Sequence, residues 1–308
     1  QTYSIKYIIQ YKCANMEKEQ VIILEDRGLI SVTGEEAKDF LQNILSNDVA
    51  KVSDYNSIFS GIFTPQGKYL YEFFVIKSKY GYLLDCDNEF TGNIIDYLLK
   101  YKLRSKIEIQ NFSSRFAIGI INLDKFQEIQ NTEKKNTETI LFRESLIFID
   151  PRTKELGARI LSSLEKLYLT IKKLKLKIIE NKNYLNKAYL CGIPIKGTKN
   201  LQGQLFGLEA NFEQFKAIDF KKGCYVGQEN TARMKLKGKL RRRLMPIKTN
   251  EKLKVGSEIM FQNIKIGKVL INEPYTFALI RLFDPDWSEF KDKDVISDNK
   301  KVQILKIH

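Results

Sequence analysis

The sequence predicts an α+β protein in two parts: a core of mixed strands and helices, then a small antiparallel β-barrel at the C-terminal end. Three observations carry this. Strand-like runs rich in aromatic and β-branched residues alternate with helix-like runs through the first half. From Leu244 the pattern changes to short apolar runs (SEIMF, KIGKVLI, TFALIRLF) separated by Gly and Pro. The length of 308 residues suits two domains. The boundary is read near residues 241–249, giving a core over 1–240 and a barrel domain over 241–308.

The elements follow in order. VIILEDRGLISVTG reads as a β-rich opening. Ala37, Phe40, Leu41, Ile44 and Leu45 recur at helical spacing, and Thr33 with Glu36 three positions on predicts a capping box. Asn47 and Asp48 mark the turn after this helix. KYLYEFFVI and YGYLLDC read as paired strands, introduced by the Pro65-Gln66-Gly67 turn. A helix over 88–102 carries Ile94, Ile95, Leu98 and Leu99. KLRSKIEIQNF, FAIGIINL and ETILFRESLIFIDPR return to strand, the last stopped by Pro151. EIQNTEKKNTET is polar and unperiodic and reads as a surface loop. KKLKLKII alternates charge and apolar side chains, as a half-exposed strand or the end of an amphipathic helix.

Composition bounds the chemistry. Apolar residues make up 43%, the share of an ordinary globular chain. Such a chain buries about 70–75% of its unfolded surface and needs no metal or disulfide to fold. Cys13, Cys86, Cys191 and Cys224 form no CxxC and no secreted ladder. That spacing suits a reducing compartment: the cytoplasm or, in a eukaryote, an organelle matrix. The only histidine is His308, so a Cys/His zinc site and a His-based triad are excluded, and no metal ligand set is assigned. No run reaches the roughly 18–20 apolar residues of a membrane span, and no secretory signal is read at the start. The net charge of +14 favours anionic partners, or reflects a general bias toward Lys, Ile and Asn. Neither GxxxxGK[ST] nor GxGxxG occurs, which argues against ATP hydrolysis and a dinucleotide cofactor.

The stretch KGCYVGQE, Lys222 to Glu229, places a cysteine between two glycines and beside cations. Lys221, Lys222 and Arg233 at short range would stabilise a thiolate. Cys224 is thus either a reactive or ligand-contacting thiol, or a small side chain filling a tight turn. Without a histidine, ordinary Cys–His nucleophilic catalysis is unavailable. Glu229 and Arg233, four apart, pair on one helical face or reach a ligand separately. The cluster Lys235, Lys237, Lys239, Arg241, Arg242 and Arg243 is either a solvated face or a docking site for an acidic partner. Specific nucleic-acid recognition has no supporting motif. Asp48 and Glu72 are isolated carboxylates.

KGCYVGQE followed by Arg233 resembles the signature of the YgfZ family, folate-binding proteins of iron–sulfur cluster assembly or repair that are related to the glycine cleavage aminomethyltransferase. FLQNILSNDV, FTPQGKYLYEFFV, YLLKYKLRSKIEI, IDPRTKELGARI, CGIPI, LFGLEANF, VGSEI and ALIRL resemble further family segments in the expected order, covering about residues 20–300. The resemblance implies a ring-like, aminomethyltransferase-type folate-binding core around a central hollow, with a terminal barrel. It implies tetrahydrofolate or a polyglutamylated derivative as cofactor, Cys224 as the functional thiol, and iron–sulfur client enzymes or assembly factors as partners. Asn47, Asp48, Arg104, Lys222, Tyr225, Glu229 and Arg233 are the residues expected on the folate side or holding the turn.

Two departures set the chain apart from the transferases. Their catalytic aspartate aligns with Tyr71, beside Glu72, and a glutamate that helps hold folate aligns with Leu190. A classical aminomethyltransferase is therefore not expected. The alternatives are a tetrahydrofolate-dependent aminomethyltransferase or demethylase using Glu72, and a basic scaffold that docks proteins or RNA.

Overall fold

The computed structural model describes residues 16–307. Cys13, His308 and the start of the sequence, where no secretory signal is read, lie outside the described residues.

Two sheets and a barrel make up the molecule. The strands are β1 (Gln20–Leu24), β2 (Arg27–Thr33), β3 (Ile58–Phe63), β4 (Tyr69–Ser78), β5 (Gly81–Asp87), β6 (Glu108–Asn111), β7 (Ala117–Ile121), β8 (Thr139–Phe142), β9 (Ser145–Ile149), β10 (Ala158–Ser162) and β11 (Lys177–Ile179). The first sheet has the order β3-β4-β5-β2-β6, the second β11-β1-β7-β10-β9-β8. Among the described residues every strand pairing of the two sheets is antiparallel except β1 with β11. The opening β-rich run therefore splits: β1 joins one sheet and β2 the other, and the short turn between them, at 25–26, stitches the sheets together.

The barrel closes as predicted. β12 (Arg242–Lys248), β13 (Glu258–Phe261), β14 (Ile264–Ile271), β15 (Thr276–Arg281), β16 (Asp294–Ser297) and β17 (Lys300–Ile304) form a closed antiparallel ring in the order β12-β15-β14-β13-β16-β17. Closure leaves no free sheet edge. Its interior is filled by Ile259, Ile266, Val269, Ala278 and Ile280, all fully buried. The barrel is tied to the core by Glu209, a buried carboxylate that accepts from Arg242 Nε and Nη2 at 2.8 and 3.2 Å.

Four sequence expectations are corrected or sharpened. The capping box at Thr33 does not form: the helix Ala37–Gln42 starts after Glu36, whose carboxylate accepts instead from the backbone of Lys106. The stretch read as a surface loop, 128–139, begins inside a helix, Leu123–Thr132, and is loop only beyond it; Asn122 caps this helix, its side chain accepting from Lys125 N at 2.9 Å. KKLKLKII resolves into both options at once, the end of the helix Leu164–Lys173 and strand β11. The helix read over 88–102 forms as Thr91–Lys102 after a short 3-10 turn.

The largest apolar cluster lies between the sheets and includes Ile22, Phe59, Phe74, Phe148, Tyr184, Phe212 and Tyr225. The irregular stretch from 198 to 227 runs through this cluster and delivers the signature loop to the surface.

Candidate functional site

The signature loop is strapped to the exit of the first helix. Lys222 is the main strap. Its ammonium lies under the surface and donates to the carbonyls of Gln42, Leu45 and Asn47 at 2.7, 2.5 and 3.0 Å. Those carbonyls are left without helical partners where the helix ends, so the lysine acts as a C-terminal cap supplied from 175 or more residues away. Burial pushes this ammonium down to about 8, against the pull of Asp48 and Asp219. The ring of Tyr225 lies 5.0 Å from Lys222 Nζ.

Further bonds complete the strap. Asp219 N donates to Ser46 O, Val226 N to Asn43 O, and Ser46 Oγ to Ala217 O. Asp219 accepts from the backbone of Lys221 and Lys222 and pairs with Lys51 at 2.5 Å. On the far side Gly227 (φ 83°) packs on the Pro65-Gln66-Gly67 turn, and Asn230 Nδ2 donates to Gln66 O at 2.8 Å. Two segments singled out in the sequence, at 42–48 and 65–67, thus clasp the third.

Cys224 sits on the exposed crest of this loop. It neither lines the core nor faces the pocket between the sheets. Two of the three cations expected around the thiol are engaged elsewhere. Lys222 is turned inward onto carbonyls, and Arg233 Nη2 pairs with Glu229 at 2.7 Å on the exposed face of the helix Gln228–Leu236. Gly223 is not sterically required, since a Cβ there meets nothing within 4 Å.

The residues expected on the folate side lie around this loop or on the adjacent helix end, away from the hollow. Asn47 is buried; its Nδ2 donates to Phe59 O and Lys216 O, and its Oδ1 accepts from Asp48 N. Asp48 caps a 3-10 turn through Ala50 N and accepts from Gln42 Nε2. Arg104 is exposed beyond the helix Thr91–Lys102. None of the seven lines the central pocket.

That pocket lies where both sheets meet the segment 184–198. It is lined by Arg27, Glu72, Asp87, Arg152, Arg159 and Tyr184, with Phe59, Phe74 and Phe90. Asp85 is the hub beneath it: Arg159 donates to Oδ2 at 3.0 and 2.6 Å, and Arg27 to Oδ1 at 2.6 Å. Burial alone would raise the Asp85 carboxyl, but Arg159 and Arg27 hold it below the usual carboxylate range. Arg152 forks onto Asp150 at 3.0 and 2.7 Å, its guanidinium 5.0 and 4.8 Å from the rings of Phe59 and Phe74. Glu72 has no such clamp. Burial raises it to about 7, while Arg152, Arg27 and the Tyr69 hydroxyl pull it down. Glu72 rather than Tyr71 enters the pocket; Tyr71 packs on the opposite face of the sheet, its ring 5.8 Å from Phe90. Leu190 ends the helix Lys182–Leu190 outside the pocket.

Sequence reasoning did not name Arg27, Asp85, Arg152, Arg159 or Tyr184 as site residues. The pocket they leave is narrow: the space open to the centre of a water-sized sphere is about 30 Å³, room for a few ordered waters.

No family model matches the chain. Among curated proteins it is similar to the mitochondrial iron–sulfur cluster assembly factor IBA57 of Homo sapiens, 28% identical over 249 residues, covering 73% of this chain and 65% of that protein. The IBA57 homologue of Neurospora crassa is 26% identical over 230 residues, with 72% and 52% covered. That of Dictyostelium discoideum is 27% identical over 290 residues, with 83% and 69% covered. The chain spans about half the length of several curated relatives it matches. Among solved structures, the glycine cleavage system aminomethyltransferase T from Bartonella henselae superposes with a TM-score of 0.71 over 95% of this chain and 86% of that one, at 12% identity. The chain is thus similar in sequence to the IBA57 iron–sulfur cluster assembly factors and shares the fold of the glycine cleavage aminomethyltransferase.

Proposed function

We propose that this chain serves the assembly of iron–sulfur clusters in client enzymes, with Cys224 as its working thiol and an organelle matrix as its place of action. The observation that carries the reading is the exposure of Cys224 on a loop whose own backbone is held by Lys222, Asp219 and Gly227. A structural cysteine gains nothing from such a position; a thiol that meets another molecule needs it. The relatives named for cluster assembly support the biological setting, and their names assign them to mitochondria. Among the described residues no three His, Cys, Asp or Glu side chains converge. A cluster or persulfide engaged at Cys224 would therefore draw its remaining contacts from the client.

Tetrahydrofolate belongs to the reading implied by family and fold, yet the central pocket is narrow and none of the residues expected on the folate side lines it. The proposal includes no folate step. A second reading, one-carbon transfer, is favoured by one observation, the Glu72 carboxyl inside the pocket with a value near that of a working base. It needs the same narrow pocket to widen around a substrate.

The test is Cys224→Ser in cells whose own copy is deleted. The variant should accumulate and melt like the parent, because the side chain is exposed, while the activity of cluster-dependent enzymes falls. Full client activity at normal abundance removes the thiol from the proposal. Titration of the purified protein with tetrahydrofolate should give no saturable signal in the micromolar range; saturation there would mean that the pocket opens.

A further inference from the structure

The signature helix and the helix Thr91–Lys102 border an open groove of about 900 Å³ next to the Cys224 loop. Its walls include Pro65, Tyr101, Tyr225 and Leu236. Two side chains here are unusually bare: Leu236 is 88% exposed, and Leu103, two residues past Tyr101, is 87% exposed. Neither is explained by the fold: Leu236 closes the signature helix, and Leu103 turns the chain out of the other helix at φ 44°. Tyr101 is held by stacking on Tyr97, ring centroids 5.0 Å apart, and Tyr97 in turn donates to Phe63 O.

The charge around the groove is one-sided. Among the described residues lining it the one carboxylate, Glu229, is paired with Arg233. Lys100, Lys102 and Arg104 flank one wall, and Lys235, Lys237, Lys239 and Arg241 follow the other. Among the described residues Lys100, Lys102, Arg104, Lys237 and Arg241 form no ion pair, while Lys235 pairs with Glu213. Cations at the C-terminal ends of the two helices complement the helix dipoles. Lys237, Lys239 and Arg241 lie past the last turn and are not accounted for in this way.

We infer that this groove docks an acidic protein surface, with an apolar side chain of the partner seated between Tyr101 and Leu236 and its carboxylates meeting the two lysine-rich rims. The inference rests on the reading above, since it names the kind of surface that brings a client to Cys224. An apolar centre inside a charged rim is the build of a protein–protein site. Bare leucines favour protein over RNA, which would use flat rings for stacking.

The test uses the purified chain and two probes: a short fluorescent peptide with a Leu-Phe centre between Asp/Glu flanks, and a single-stranded RNA oligonucleotide. The acidic peptide should bind saturably and weaken with salt. Leu236→Gln and the pair Lys100→Glu/Lys102→Glu should each weaken it by about tenfold. A peptide with the same centre and lysine flanks should not bind. These positions are exposed or half-exposed, so an unchanged melting curve shows that folding is not at issue. Failure of the acidic peptide to bind, binding indifferent to these substitutions, or RNA binding indifferent to Leu236→Gln overturns the inference. In cells, Leu236→Gln should lower client activity as Cys224→Ser does. If Cys224→Ser impairs clients and Leu236→Gln does not, the groove alone is refuted. If Cys224→Ser is silent, the reading of the thiol fails and peptide binding still judges the groove.

Discussion

Gly227 closes directly on Gly67: a Cβ on Gly227 would lie 3.1 Å from the Gly67 Cα and 2.5 Å from the Thr64 carbonyl oxygen. Both residues hold positive φ, at 83° and 80°. A turn in the first sheet and the signature loop therefore meet with no side chain between them, which fixes how far the loop stands from the sheet.

The two signature glycines should then behave differently. Gly227→Ala adds a methyl against backbone in a left-handed conformation and should lower the unfolding free energy by about 2–4 kcal/mol. Gly223→Ala adds a methyl where nothing lies within 4 Å, at a residue without positive φ, and should change stability by less than about 0.5 kcal/mol. Urea unfolding of the two variants checks this. Equal losses would show that the loop's rigidity is not located at Gly227.

Lys222 makes the second prediction. Its ammonium satisfies three carbonyls of residues 42–47. Lys222→Met keeps the apolar stem and removes every donor, leaving the helix exit uncapped, and should cost about 2–4 kcal/mol. Lys222→Arg should not restore the parent stability. A planar fork does not place three hydrogen bonds around one point as an ammonium does. Hydrogen exchange should report the damage locally, at residues 42–48 and 217–227. Restoration by arginine would mean that charge alone, not geometry, holds the strap.

Glu72 gives the stability a pH dependence of definite sign. Its carboxyl is raised from 4.5 to about 7, with burial the leading cause. A carboxyl raised on folding binds its proton more tightly in the folded state. The stability it allows is therefore fully present below the unfolded value and falls as pH rises through the folded one. Between about pH 5 and pH 8 the parent should lose on the order of 1–3 kcal/mol at this site. Glu72→Gln should match the parent at the lower pH and exceed it at the higher. Denaturant midpoints at both pH values read the difference, and parallel behaviour of parent and variant would remove Glu72 as the source.

The Asp85 hub predicts a larger loss. Asp85→Asn leaves two guanidiniums, Arg27 and Arg159, without their counter-charge beneath a closed pocket. Breaking a buried pair from one side costs about 3–5 kcal/mol. Asp150→Asn leaves one, Arg152, whose bonds are also local in sequence, and should cost less. Thermal melting of both variants ranks them, and the reverse order would contradict the role of Asp85 as hub.

How far the sequence disclosed this molecule depends on the range of the interactions involved. The barrel was legible because Gly and Pro punctuate its strands locally. The helix Leu123–Thr132 was not, because a single covered stripe, Lys125, Phe126 and Ile129, is buried among polar neighbours, and Lys125 is tolerated inside only through Glu19 and Glu128. The signature loop announced itself, but its straps to Gln42, Leu45 and Asn47 connect points 175–180 residues apart and carry no local signal. The pocket had a signal that went unused. Asp85 inside YLLDC and Arg159 inside GARIL are single charges within apolar strands, and such charges must find each other in the fold.

The cysteines supply a chemical test of the loop's placement. Cys86 is buried, and burial pushes its thiol to about 11; Cys191 is half-buried, and burial followed by Glu155 raises it to about 11 as well. Both are short of thiolate at neutral pH, and Cys86 is also closed to reagent. Cys224 is open to solvent. Brief treatment of the native protein with iodoacetamide near pH 7.5, followed by peptide mapping, should therefore label Cys224 well before Cys86 and Cys191. Denaturation before labelling should bring the three to similar extents. Slow labelling of Cys224 in the native protein, with fast labelling after unfolding, would mean that the loop is covered, and both the thiol's proposed role and the groove beside it would lose their footing.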